Sequence, residues 1–189
     1  MLKKSKPGKT TAIRVTSGKY RGRKLFSPET ELTHPMGARE KLALFNMVDV
    51  SDKKVLDAYA GSGALGIEAL SRGAEEVVFV EGGRKVAEVI NKNLEVVDED
   101  GRVFVEKVGS FTERKECANY FDVILADPPY NDFRKTEVAK LVKLLDKSGI
   151  LAISSPAKVE ISIEGMGVLN SKVYAGARLT VFRKLGEKL

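Results

Sequence analysis

The chain reads as an α/β protein. It has a mostly parallel sheet of seven strands with helices between them, a C-terminal antiparallel hairpin, and a small N-terminal β-hairpin in front. Three observations predict this. Short apolar runs at 54–57, 76–80, 103–108, 121–126 and 150–154 alternate with stretches of helical spacing, the pattern of β/α units on a parallel sheet. The run Phe121 to Ala126 is almost unbroken in its apolarity, as a strand covered on both faces requires. Beyond residue 155 the pattern changes: Val168 to Tyr174 and Leu179 to Lys184 are joined near Ala175-Gly176-Ala177, which fits a closing antiparallel pair.

The 189 residues, 43% apolar, suit one domain of ordinary size with an appendage. Three segments are expected: a disordered basic tail over 1–11, a basic hairpin and loop over 12–37, and the main domain over 38–189. No apolar run reaches 18 residues, and no apolar segment follows the N-terminal lysines, so neither a membrane span nor a secretory signal is expected. The single cysteine, Cys117, excludes an internal disulfide and a Cys-rich zinc site. A reducing, cytoplasmic location and a monomer follow as expectations. The lone His34 has no Cys or acid partners nearby and is assigned no metal.

The net charge is +6, and its placement says more than its size. The first 24 residues hold nine of the 32 Lys and Arg and none of the 26 Asp and Glu. Localised positive charge suits a polyanion, most simply nucleic acid. Ala12 to Thr16 and Arg23 to Phe26 read as short strands around the turn Ser17-Gly18-Lys19-Tyr20-Arg21-Gly22. Lys19, Arg21, Arg23 and Lys24, with Tyr20 among them, suit contact with RNA backbone and bases. The alternative is a hairpin with merely charged outer faces. Ser27 to Met36 is a loop, and Ala38 to Val50 follows a helical pattern, with Arg39 in its first turn as a further phosphate contact or a surface charge.

In the main domain, a helix through Arg72 follows the first strand, and Arg84 to Val96 follows the second. Val103 to Val108 is the third strand, then Gly109-Ser110-Phe111 and a short helical stretch. Thr136 to Asp146 is a helix capped by Ser148-Gly149 before the strand at Ile150.

The strand Phe121 to Ala126 stops at Asp127-Pro128-Pro129-Tyr130. The two prolines lack an N–H, so the ladder cannot continue, and Asp127 is left at the carboxyl end of the strand, where open α/β sheets bind ligands. This tetrapeptide suits one kind of chemistry. An exocyclic amine on a planar base is a poor nucleophile because its lone pair is delocalised into the ring. Asp127 and the Pro128 carbonyl can each accept one of its N–H bonds, holding the nitrogen before reaction, while Tyr130 stacks on the base. The electrophile must come from elsewhere.

Gly61-Ser62-Gly63-Ala64-Leu65-Gly66 satisfies the Gly-x-Gly-x-x-Gly pattern, with Glu81 about 20 residues after it, as in a dinucleotide fold. Against that reading, Asp57-Ala58-Tyr59-Ala60 stands between the strand and the glycines, and no second domain is present for hydride chemistry.

A first-strand acid, a Gly-rich turn, a second-strand acid and Asp-Pro-Pro-Tyr together resemble the class I S-adenosylmethionine-dependent methyltransferases, with their Rossmann-like fold. The resemblance implies that Glu81 binds the ribose hydroxyls and that Asp57, Ala58, Gly61, Ser62 and Gly63 shape the methionine side, with Asp127 at the same site. A narrower resemblance is to the bacterial 16S ribosomal RNA guanine-N2 methyltransferases of RsmD type. It is carried by Arg14 to Leu25, Arg39-Glu40 with Phe45-Asn46, the 57–66 loop, Val80-Glu81, Asn93-Leu94, Asp127 to Tyr130, and the closing segment around Tyr174, Gly176 and Leu179-Thr180. It covers nearly the whole chain past residue 12. It implies transfer to N2 of a guanine in small-subunit ribosomal RNA, with Asp127, Pro128 and Tyr130 catalytic, and a small ribosomal subunit or its assembly intermediate as partner. Two departures stand out. His34-Pro35-Met36 replaces the usual Arg-Pro-Thr, and Gly109-Ser110 stands where the family tends to carry an acid for the adenine amine, which leaves Ser110 or a backbone group for that contact. Competing expectations are an amine methyltransferase acting on another RNA or on DNA, and a non-catalytic RNA-binding assembly factor.

Overall fold

The computed structural model describes residues 13–28, 36–174 and 176–185. The expected basic tail, the strand start at Ala12, the loop residues His34 and Pro35, and Ala175 lie outside the described residues. Two short strands, β1 (Ile13–Arg14) and β2 (Lys24–Leu25), form an antiparallel pair. The main domain then runs α1 (Ala38–Met47), β3 (Lys54–Ala58), α2 (Ala64–Ser71), β4 (Glu76–Glu81), α3 (Arg84–Val97), β5 (Arg102–Val105), α4 (Val108–Phe111), β6 (Phe121–Ala126), α5 (Lys135–Lys140), β7 (Leu145–Pro156), β8 (Met166–Tyr174) and β9 (Ala177–Lys184).

The seven strands β3 to β9 form one sheet in the order β5-β4-β3-β6-β7-β9-β8. β3 to β7 are parallel, and β9 runs antiparallel to both β7 and β8. The chain works outward from β3 to β5 and then returns with β6 on the other side of β3. The strand order therefore reverses between β3 and β6, which opens a crevice at their carboxyl ends. Alternation divides the core. Val55, Val77, Phe79, Val123 and Leu125 pack on one face with α1, α2, α3 and the hairpin residues Ile13, Val15, Tyr20 and Leu25. Leu56, Val78, Ile124 and Ala126 face the other layer, with Phe111, Val138 and Leu141.

Four details differ from expectation. The third strand ends at Val105 rather than Val108, because Val108 and Phe111, three residues apart, bury one side of α4. The expected helix over 136–146 is α5 followed by a 3-10 turn over Leu141–Leu144. Ser148-Gly149 is no helix cap but part of an irregularity inside β7: Leu145 pairs with Phe121, and the next registered pair is Ile150 with Val123. The helix over 38–50 stops at Met47, where Val48 turns extended.

The N-terminal hairpin is bolted to α2. Glu68 is fully buried and accepts hydrogen bonds from the Thr16 N–H (2.7 Å), the Thr16 hydroxyl (2.7 Å) and the Ser17 N–H (2.9 Å). Lys41 of α1, only 2% exposed, pairs with Glu68 at 3.2 Å and donates to the Arg14 carbonyl at 2.7 Å. Arg72 adds a second ion pair at 3.0 Å. Ser71 closes the joint, accepting from the Tyr20 N–H and donating to the Ser17 carbonyl. Gly18 is required here. Its φ is +79°, and a Cβ would lie 1.8 Å from the Ser71 carbonyl oxygen.

Candidate active site

Strand register sets the site. Ala58 lies opposite Val80 and Ala126, and Ala126 opposite Ile153. The next residues, Tyr59, Glu81, Asp127 and Ser154, therefore lie at one level, Tyr59 and Asp127 just past the ends of β3 and β6, Glu81 at the end of β4 and Ser154 within β7. Asp57 pairs with Phe79 and Leu125, so alternation puts it on the same face as Glu81 and Asp127, two residues further along. The sheet thus gathers three carboxylates beneath and around the Gly-rich turn.

Each carboxylate is held differently. Asp57 is 1% exposed and accepts the Gly66 N–H at 2.8 Å, bracing the start of α2 from beneath. Burial pushes its carboxyl well above the usual range. The Gly66 N–H opposes that rise, and the charges of Asp127 and Glu81 add to it. Glu81 accepts the Gly61 N–H at 2.9 Å on one oxygen and the Gly83 N–H at 2.7 Å on the other. Each oxygen keeps a free lone pair, the arrangement needed to receive two vicinal hydroxyls. Asp127 is half-buried; burial raises its carboxyl to about 6, and the Ser154 hydroxyl opposes the rise. Glu81 and Asp127 at the crevice, with Asp57 buried beneath the turn, suit a ligand that carries positive charge.

The glycines of the turn have different duties. At Gly61 (φ +55°) a Cβ would meet nothing nearer than the Tyr59 carbonyl at 4.0 Å, so this is the side open to a ligand. At Gly63 (φ +76°) a Cβ would stand 3.0 Å from Ile90, and at Gly66 2.2 Å from the Phe79 ring. These two serve close packing of α2 and α3 on the sheet. Tyr59 is left-handed as well (φ +63°), an uncommon state for an aromatic residue. Ala58 and Ser62 are buried and can offer only backbone to the crevice. Ser110 is exposed on α4.

Pro128 is buried, Pro129 exposed, and Tyr130 is 42% exposed. The Tyr130 hydroxyl lies 2.5 Å from the Ser154 Oγ, which fixes the aromatic ring to the end of β7. Burial raises the Tyr130 phenol, Ser154 opposes this, and the Asp127 and Glu40 charges add to it. Arg39, in the first turn of α1, is exposed.

Lys19, Arg21, Arg23 and Lys24 are exposed on the hairpin. Lys19 is paired with Glu99 at 3.3 Å. Tyr20 departs from expectation. It is 7% exposed, packed in the core, with its hydroxyl on Glu99, so its ring is not offered for stacking. The aromatic that faces solvent is Phe26, 57% exposed. Its alternation with buried Leu25 was the available signal. Asn93 holds it there: the Phe26 N–H donates to Asn93 Oδ1 (2.7 Å), and Asn93 Nδ2 donates to the Phe26 carbonyl (3.0 Å) and the Ser62 carbonyl (2.8 Å). One fully buried amide therefore ties the hairpin to the Gly-rich turn. Among the described residues no His, Cys, Asp and Glu group could hold a metal, and no helix is long and apolar enough to cross a membrane.

Comparison with known proteins agrees with this geometry. Ribosomal RNA small subunit methyltransferase D of Haemophilus influenzae is 37% identical over 136 residues, 69% of this chain and 70% of that protein. The Escherichia coli protein of that name is 34% identical over 166 residues, 86% of this chain and 81% of its own. The solved structure of Escherichia coli yhhF, provisionally described as a methyltransferase, superposes with a TM-score of 0.81 at 27% identity, covering 93% of this chain and 99% of its own. Residues 13–183 match the model of the family described as conserved hypothetical protein 95. With Asp57 beneath the Gly-rich turn, Glu81 beside it and Asp127 to Tyr130 in one place, the chain belongs to this family, the RsmD-type ribosomal RNA methyltransferases.

Proposed function

We propose that this chain methylates the exocyclic N2 of a guanine in 16S ribosomal RNA through the crevice formed by Asp127, Pro128 and Tyr130. Family membership makes it an S-adenosylmethionine-dependent ribosomal RNA methyltransferase of the small subunit. The bound cofactor supplies an electrophilic methyl group on a sulfonium. The crevice suits that ligand: Glu81 offers two oxygens to a ribose, Gly61 leaves open space, and the Asp127 carboxylate favours the positive charge, while buried Asp57 braces the turn from beneath.

The observation that carries the reading is Asp127 at the mouth of that crevice. Asp127 and the Pro128 carbonyl accept hydrogen bonds from the two amine N–H groups, which turns the nitrogen lone pair toward the methyl. Tyr130, anchored on Ser154, lies against the base. As the new bond forms, the nitrogen gives up a proton, and a carboxylate raised to about 6 is a competent acceptor for it. The base must first leave its stack, at a cost of a few kcal/mol. Lys19, Arg21, Arg23, Lys24 and Arg39 form the surface on which we place the RNA, with Phe26 rather than Tyr20 as the aromatic. The substrate in this reading is a small subunit or its assembly intermediate, met by a cytoplasmic monomer.

The test is made in cells. Deleting the gene removes one N2-methylguanosine from 16S ribosomal RNA; wild type restores it, and the Asp127→Ala variant does not. Unchanged nucleoside content in the deletion strain contradicts the proposal.

Two further results are expected. Glu81→Ala weakens S-adenosylhomocysteine about 100-fold, since two bonds to a charged acceptor are lost; unaltered affinity by calorimetry refutes the ribose assignment. Reversing the charges of Lys19, Arg21 and Arg23 lowers the slope of log K against log salt for RNA by about two to three. An unaltered slope reduces the hairpin to scaffold.

A further inference from the structure

We propose that Glu137 receives the exocyclic amine of the cofactor's adenine, a contact that residues 109 and 110 are not built to make. This rests on the cofactor reading above. α4, which follows β5, carries Gly109, which has no side chain, and Ser110, which is exposed. α5 fills the gap. Glu137 Oε1 lies 3.2 Å from the point where a Cβ at Gly109 would stand, with its Cδ at 3.8 Å and Cγ at 3.9 Å. The Glu137 carboxylate thus occupies the space that a side chain at 109 would take.

That carboxylate is available. Arg134, one turn earlier, is engaged by Asp132 through two bonds of 2.9 and 3.1 Å. Among the described residues no donor meets the Glu137 side chain, which is half-buried. Burial raises the Tyr59 phenol, and the charge of Glu137 adds to that rise. The location follows from the sheet. The ribose acid Glu81 ends β4, and β5 is its neighbour on the outer side. A base attached to that ribose would lie toward the end of β5, where α4 and α5 meet. Adenine presents an amine with two N–H donors there, and an ionised carboxylate is an acceptor only. A 6-oxo purine would place an oxygen against the same carboxylate and be rejected, because neither group donates.

The experiment measures binding by calorimetry with two probes, S-adenosylhomocysteine and its 6-oxo analogue S-inosylhomocysteine. Wild type is expected to prefer the adenosyl ligand. Glu137→Ala should bind that ligand about tenfold more weakly and lose the preference. The double variant Glu137→Ala with Gly109→Asp should regain both. The backbone at Gly109 is not left-handed, and removing Glu137 vacates the space for the new side chain. A Glu137→Ala variant with wild-type affinity and preference overturns the assignment. Equal loss for both ligands without rescue by Gly109→Asp also overturns it, showing a purely structural role for Glu137. Failure of wild type to bind S-adenosylhomocysteine at all is a different result, which removes the cofactor reading together with this inference.

Discussion

Replacing Asp127 by Ala lowers kcat about 10³-fold, as expected when a group that positions and relieves the developing charge is lost, while S-adenosylhomocysteine affinity stays within about threefold. The division follows from position. Glu81 and the Gly-rich turn hold one side of the crevice, and Asp127 stands at the end of the neighbouring strand β6, beside Pro128 and Tyr130. Loss of cofactor affinity as severe as loss of turnover contradicts that division. The pH dependence gives a second reading of the same group. In the proposed role Asp127 accepts N–H bonds as a carboxylate, and burial raises its pKa to about 6. In wild type, kcat/KM for the cofactor should therefore be level above pH 7 and fall about tenfold per pH unit below 6. Asp127→Asn keeps one acceptor oxygen but cannot ionise, so its residual activity should lack this limb. A limb that survives in Asp127→Asn belongs to another group.

The second large effect is on stability. Glu68→Ala leaves Lys41 buried without its partner and strips acceptors from three donors of Thr16 and Ser17. Breaking a buried pair in this way costs about 3–5 kcal/mol, or roughly 10 °C in Tm for a chain of this size. Chemical denaturation checks the first figure and calorimetric melting the second. A change under 1 kcal/mol shows that the hairpin joint does not matter to the fold. The pH sense is fixed by the shift. Burial pushes the Glu68 carboxyl up, but the Thr16 bonds and Lys41 outweigh it and hold the group below its ordinary value. A lowered carboxyl stabilises the fold above the unfolded pKa of about 4.3, and the contribution is lost as pH falls through the lower folded value. The gap between wild type and Glu68→Gln should thus be full at pH 7 and close in acid.

Much of this was legible in the sequence because it is written in local patterns. The seven strands and their parallel core follow from apolar runs between turns, and Asp127 is exposed to view by two prolines that end a buried strand. Glu81 follows from its place at the end of a second strand. What could not be read depends on contacts between distant segments. Tyr20 sits among charges in sequence yet is drawn inward, because Ser71 and Glu99, some 50 and 79 residues away, take its N–H and hydroxyl. Nothing local marks Glu68 as the buried anchor of the hairpin, since the donors lie 52 residues earlier. The bulge in β7 hid behind a Ser-Gly pair that reads equally well as a helix end. Glu137 could not be linked to Gly109 without knowing that α5 crosses α4.

The central claim is best tested with purified protein and methyl-labelled S-adenosylmethionine, offered unmethylated small ribosomal subunits, their naked RNA and DNA, followed by mass-spectrometric identification of the labelled nucleoside. The account predicts N2-methylguanosine from the subunit or its RNA, present with wild type and missing with Asp127→Ala. Label in N6-methyladenine or N4-methylcytosine, or N2-methylguanosine formed equally well by Asp127→Ala, would contradict it.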